Sequence, residues 1–137
     1  MAEFIFLVLA WIGDHSEYPV PEIQPNVVIT EPHNLCAQYG VANVAECRGL
    51  QLAGFYDEAQ TIFLRSDFDL DDPAHQAWLV HELVHYVQWE AGEHLEACRG
   101  VLEVEAYELQ DAWRERQGLA ASSDAFTLMM LEAGCTA

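Results

Sequence analysis

The chain contains no lysine. Its five basic residues are all arginine, set against 23 Asp and Glu in 137 residues, for a formal net charge of −18. Nucleic acid needs a basic surface to meet its phosphates, so this balance argues against it as a partner. Anionic membrane surfaces are disfavoured for the same reason. No apolar run reaches the roughly 20 residues of a membrane-spanning helix. Cys-x-x-Cys pairs are missing too, because Cys36, Cys47, Cys98 and Cys135 stand apart. That makes the thiolate zinc and redox motifs poor readings. There is no internal repeat and no low-complexity tract. What is present suffices for a core: 52% hydrophobic and 11% aromatic residues, at a length typical of one domain. Residues 1–137 are therefore read as a single domain, acidic and suited to meeting cations.

The N-terminus holds an unbroken apolar run from Phe4 to Ile12. Its length suits a signal-peptide core, but no basic residue precedes it and no small-residue cleavage site follows. A first buried helix capped by Gly13 is the preferred reading. In that case any targeting peptide has already been removed, and location is not decided by the N-terminus. The four cysteines allow two disulfides, for which Cys36–Cys47 and Cys98–Cys135 is the chosen pairing. Four reduced, buried thiols are the equal alternative. Disulfides and acidity favour a secreted or periplasmic location, with the cytoplasm as the alternative.

Three prolines between Ser16 and Pro25 predict an extended connector. Val27–Thr30 reads as a short strand. Leu50–Tyr56 and Gln60–Arg65, flanking Asp57–Ala59, read as a hairpin whose second half is the most strand-like stretch of the chain. Asp67, Asp69 and Asp71 alternate as in a calcium loop, but an EF-hand would need Gly at Asp72 and Glu at Trp78. A solvated loop is the better reading. Asp72-Pro73 is a helix start, with a capping carboxylate and proline at the first helical position. That helix should run from Pro73 to about Ala91 and stop near Gly92. A second should span Glu96 to Gln117, and a short last one Asp124 to Glu132, capped by Ser122 or Ser123.

Residues 81–85 carry the chemistry: His81-Glu82-Leu83-Val84-His85. Histidines four apart project from one helix face and can offer ring nitrogens to a single tetrahedral Zn²⁺. Glu82, one residue past the first, sits where it can take a proton from water at that ion. On a wheel of about 100° per residue, Val80, Leu83, Val84 and Val87 form an apolar back opposite this His/Glu front.

Zinc needs a third protein ligand, and Glu103 and Glu105 are the candidates. Glu105 falls within an apolar stripe of Cys98, Val101, Leu102, Leu109 and Ala112, where a lone carboxylate is costly unless a cation meets it. Glu103 shares its face with Arg99, Gln110 and Arg114, which reads as solvated. Glu105 is the preferred ligand.

His81-Glu82-x-x-His85 followed by Glu105 resembles the gluzincins, zinc metallopeptidases in which a downstream helix supplies a glutamate. The 20-residue interval from His85 to Glu105 is typical of that clan, and the short chain is most like its minimal members. The resemblance covers roughly residues 50–117. It implies one Zn²⁺ held by His81, His85 and Glu105, with Glu82 as general base. It also implies that the Gln60–Arg65 strand is a sheet edge receiving an extended peptide substrate by β-addition. Two features depart from it. The thermolysin-like pattern has an acidic residue four positions after the glutamate, hydrogen-bonded to a zinc histidine, where this chain has Leu109. No histidine follows His94, so a tyrosine would have to assist the transition state: Tyr107 or Tyr56, with Tyr86 also considered. Tyr107 reads first as packing.

His15, His33, His75 and His94 read as surface residues, and Trp78, Trp89 and Trp113 as core. Arg65 reads as a surface residue that could meet a substrate carboxylate. The expected fold is α+β, a small zincin-like domain. A short sheet or hairpin packs against three or four helices, and the active-site helix is followed by a glutamate helix. The expected function is zinc-dependent hydrolysis of a peptide or protein substrate. The rivals are a zinc-containing binding or regulatory protein without turnover, and a latent peptidase blocked by its own terminus.

Overall fold

The computed structural model describes residues 1–31 and 61–135, together with the backbone of 54–56. Among the described residues, four helices and three strands follow in the order α1 (Ala2–His15), β1 (Asn26–Thr30), β2 (Gly54–Tyr56), β3 (Thr61–Arg65), α2 (Pro73–Glu90), α3 (Arg99–Arg116) and α4 (Ala125–Ala133). A 3-10 turn at Glu93–Leu95 joins α2 to α3. The architecture is α+β, with the sheet on one side of α2 and α1 and α3 on its others.

The sheet order is β1-β3-β2. β3 pairs in parallel with β1, from Asn26 with Thr61 to Thr30 with Arg65. It pairs antiparallel with β2, Phe55 opposite Phe63. The hairpin read from the sequence is thus present, but β3 is the central strand. Both of its ladders are used, so it cannot receive a peptide by β-addition, and that expectation is corrected. β-Branched and aromatic residues make β3 strand-like at an edge or a centre alike, and its alternation places Ile62 and Leu64 in the core.

α2 begins and ends where its punctuation predicts. Asp72 caps it by accepting from the Ala74 N–H at 2.9 Å, and Pro73 occupies the first turn. Gly92, with φ of +78°, reverses the chain after it. Its apolar back is buried, Val80, Leu83 and Val84 completely. These side chains meet Ile5, Val8, Leu9 and Ile12 of α1, Ile62 and Leu64 of β3, and Ala106, Leu109 and Trp113 of α3 in one core. Trp113 stands at the centre of an aromatic junction, edge-on to Phe4 and Trp11 of α1. The Phe4–Ile12 run is therefore helical and packed, and α1 continues past Gly13 to His15.

α3 starts at Arg99 rather than Glu96, because Glu96 closes the 3-10 turn and Cys98 is extended as the N-cap. α4 buries no residue of its own. It is held by the Cys98–Cys135 disulfide, one of the two expected bridges. It also lies so close to α3 that a Cβ on Gly100 would come within 2.1 Å of the Leu131 carbonyl oxygen. Asp124, not a serine, caps α4 through the Thr127 N–H. Ser122 and Ser123 instead bond Asp111 of α3. Cys36 and Cys47 lie outside the described residues, as does His33. No helix among the described residues is long and apolar enough to cross a membrane.

Candidate metal centre

The polar front of α2 faces the polar front of α3. His81 and His85 point across the interface with their Nε2 atoms 3.2 Å apart, and the Glu103 carboxylate comes down on both. Its Oε1 lies 2.6 Å from His85 Nε2 and its Oε2 3.5 Å from His81 Nε2. The side chains are only 12%, 18% and 21% exposed for His81, His85 and Glu103. One ligand atom from each lies within 4.8 Å of the others. Tetrahedral zinc with bonds of about 2.0–2.1 Å separates its ligand atoms by roughly 3.3 Å, close to the spacing of the two imidazoles.

The outer ring nitrogens are both engaged. His81 Nδ1 lies 2.8 Å from Gln110 Oε1, and His85 Nδ1 lies 2.8 Å from Gln88 Oε1. An amide oxygen only accepts, so both histidines donate through Nδ1 and turn Nε2 toward each other and toward Glu103. A proton on His85 Nε2 joins that ring to the carboxylate and to His81, and a cation can take that proton's place. The donor set therefore fits a divalent ion with nitrogen and oxygen preference.

Electrostatics point the same way. Burial opposes charge on His85, but the Glu103 hydrogen bond, the charges of Glu82 and Glu103, and the Gln88 bond outweigh it and raise its pKa. Burial likewise opposes charge on Glu103, yet the two imidazoles hold its carboxyl well below the usual carboxylate range.

Glu103 thus meets the histidines, and the structure does not bring the expected Glu105 to them. Glu105 does occupy a largely apolar face, but it is satisfied by neutral donors. Tyr18 OH donates to its Oε1 at 2.6 Å and Gln88 Nε2 at 2.9 Å. Burial raises the Tyr18 pKa, with the Glu105 bond and charge adding to it. The face shared by Glu103 and Gln110 is polar because it packs on the polar face of α2, not because it is solvated; Gln110 is 7% exposed.

Glu82 is 9% exposed and, among the described residues, its carboxylate has no hydrogen-bond partner. It lies close enough to His85 and Tyr107 for its charge to act on both. The Tyr107 ring packs against His81 with centroids 4.6 Å apart. Burial raises its pKa, and the charges of Glu103, Glu82 and Asp111 add to this. Of the other tyrosines, Tyr86 is in the core with its OH donating to the Ile23 carbonyl. Tyr56 pairs with Ile62 through its backbone, and its side chain lies outside the described residues.

The remaining histidines and tryptophans mostly pack on one another. His15 stacks on Trp11, His75 on Trp78, and His94 on Trp89. Trp113 alone of the three expected core tryptophans is fully buried. Arg65 pairs with Asp67 at 3.0 Å.

Sequence reasoning missed Gln88 and Gln110. Their signal was positional: Gln88 is one turn past His85, and Gln110 is two turns past Glu103 on the same face. No curated protein and no solved structure matches this chain. The family described as "Domain of unknown function (DUF6647)" matches residues 1–137, and the chain belongs to that family.

Proposed function

We propose that the protein is a zinc-dependent peptidase, with His81, His85 and Glu103 as metal ligands and Glu82 as general base. The observation that carries this reading is the convergence of three ligand atoms beside Glu82, which is 9% exposed and, among the described residues, takes no hydrogen bond on its carboxylate. A structural salt bridge would account for the histidines and Glu103, but not for a second carboxylate beside them with no protein donor among the described residues.

In the bound state the ion supplies Lewis acidity toward water and a scissile carbonyl. The protein's part follows from its own groups. The Gln88 and Gln110 oxygens hold the rings so that Nε2 is offered inward. Glu82 takes the proton of the attacking water and returns it to the leaving amine. Tyr107, protonated at neutral pH because burial and three carboxylates raise its pKa, is the group at hand to donate to a developing oxyanion. Core side chains behind α2 keep bulk water from the back of the site.

The gluzincin resemblance supports the reading in an altered form. With Glu103 as ligand the interval after His85 is 18 residues, and Tyr107 stands at the fourth position beyond it. The hydrogen bond that the family's acidic residue makes to a zinc histidine is made here by Gln110 to His81. A zincin-type fold is part of the same proposal.

The test is digestion of a peptide library by Zn²⁺-loaded protein, with Glu82→Gln as control. Cleavage by the parent protein and none by the variant, at equal zinc content, is the expected result. Full zinc content with no cleavage by either protein would favour the non-catalytic binding reading.

A further inference from the structure

We infer that Gln88, Glu105 and Tyr18 form a relay that orients His85, so that the connector after α1 helps to build the metal centre. The inference rests on the reading of His81, His85 and Glu103 as ligands. All three relay members are positioning residues, acting through His85.

The chain of bonds is continuous. Tyr18 OH donates to Glu105 Oε1. Gln88 Nε2 donates to the same oxygen and to the Leu102 carbonyl at 3.0 Å. Gln88 Oε1 accepts from His85 Nδ1. A free glutamine amide could turn either end toward an imidazole. Gln88 cannot, because two acceptors claim its nitrogen and leave only its oxygen for His85. That orientation holds a His85 proton on Nδ1 and turns Nε2 toward His81 and Glu103, the atom a cation would take.

The cost of the arrangement argues that it has this use. Gln88 is 1% exposed. Glu105 is half-buried, and the donors that meet its carboxylate among the described residues are the Tyr18 hydroxyl and the Gln88 amide, both neutral. Apolar residues of similar volume would serve stability as well or better. A carboxylate behind the amide, in contrast, polarises it and strengthens its oxygen as an acceptor for His85.

The experiment has two readouts on the whole chain. The first is the His85 Nδ1–H proton in metal-free protein, whose downfield shift and slow exchange in ¹⁵N–¹H correlation report its bond to Gln88. The second is affinity for Zn²⁺ alone, by competition with a chromophoric chelator. The parent protein should show that proton. Gln88→Met should lose its downfield shift and slow exchange and weaken Zn²⁺ binding about 10- to 100-fold. Glu105→Leu should act in the same direction, and Tyr18→Phe more weakly. Glu105→Gln, whose amide oxygen still accepts from both donors but carries no charge, should fall between the parent and Glu105→Leu in both readouts.

Two results would overturn the relay. One is a Glu105→Gln variant that loses Zn²⁺ as completely as Glu103→Gln, which would make Glu105 a ligand. The other is an unchanged Nδ1–H signal and affinity in both Gln88→Met and Glu105→Leu. If Gln88→Met fails to fold, Tyr18→Phe and the two Glu105 variants decide. If the parent binds no Zn²⁺, the metal reading falls and the Nδ1–H signal alone decides: one that follows Gln88 upholds the relay, one that ignores it overturns it.

Discussion

Glu82→Gln is the substitution in which chemistry and structure separate most cleanly. The amide fills the same space and cannot accept a proton at neutral pH, so zinc content and melting temperature should hold. Turnover should fall by about 10²- to 10⁴-fold, the usual worth of a positioned base. A variant with parental activity would remove Glu82 from the mechanism. The ligand pair also predicts a pH response. His85 is raised from 6.5, so in metal-free protein its bond to Glu103 contributes fully below that value and is lost as pH rises through the higher folded pKa. Glu103 is lowered from 4.5, so its contribution is present above that value and lost as pH falls through the folded pKa. The pair therefore supports the metal-free fold most between 4.5 and 6.5. Zinc competes with the His85 proton, so the rise in melting temperature on adding Zn²⁺ should grow from pH 5.5 to pH 8. A rise that shrinks over that range would contradict the assignment. The two histidines and Glu82 were legible as a group because a motif on one helix needs only the helical repeat. Glu103 was not, because choosing between it and Glu105 required knowing which face of α3 meets α2. An apolar stripe marks one buried face, but the His81–His85–Glu103 group lies where two polar faces are buried against each other.

Elements whose ends carry their own chemistry were read well. Asp72-Pro73 and Gly92 delimit α2 by local bonds alone, and the short last helix was placed within a residue. Asp72→Ala should cost about 1 kcal/mol, as measured by denaturant titration. Leu83→Ala, which empties a fully buried position behind the motif, should cost about 2–5 kcal/mol. The same measurement on α4 asks a different question, since that helix buries no side chain and depends on the Cys98–Cys135 bridge and on the gap left by Gly100. Gly100→Ala should push α4 away from α3, visible as new amide exchange in Ala125–Ala133 while α2 stays protected. Unchanged protection in α4 would contradict that close approach. The place of β3 at the sheet centre was not legible. Strand propensity reports the strand and says nothing of how many neighbours it has, and each β1 residue lies 35 positions before its partner in β3, Val27 opposite Ile62.

At the scale of the whole molecule the α+β class followed from composition and periodicity, and the core from the apolar back of α2 and the α1 run. What joins them to the site was beyond a linear reading. Tyr18 and Glu105, 87 residues apart, meet only because α1 and α3 pack on adjoining sides of α2. The bridge between Cys98 and Cys135, 37 residues apart, should add about 4 kcal/mol by loop-closure entropy. Its reduction should lower the melting temperature without changing Zn²⁺ affinity, since no ligand lies on α4. The claim beneath all of this is one cation held jointly by α2 and α3. It is tested most directly by titrating metal-free protein with Zn²⁺ in a calorimeter, the parent beside Glu103→Gln. The account predicts one equivalent bound by the parent and a collapse of binding in the variant. A parent that takes up no zinc, or a variant that binds it as tightly, would contradict it.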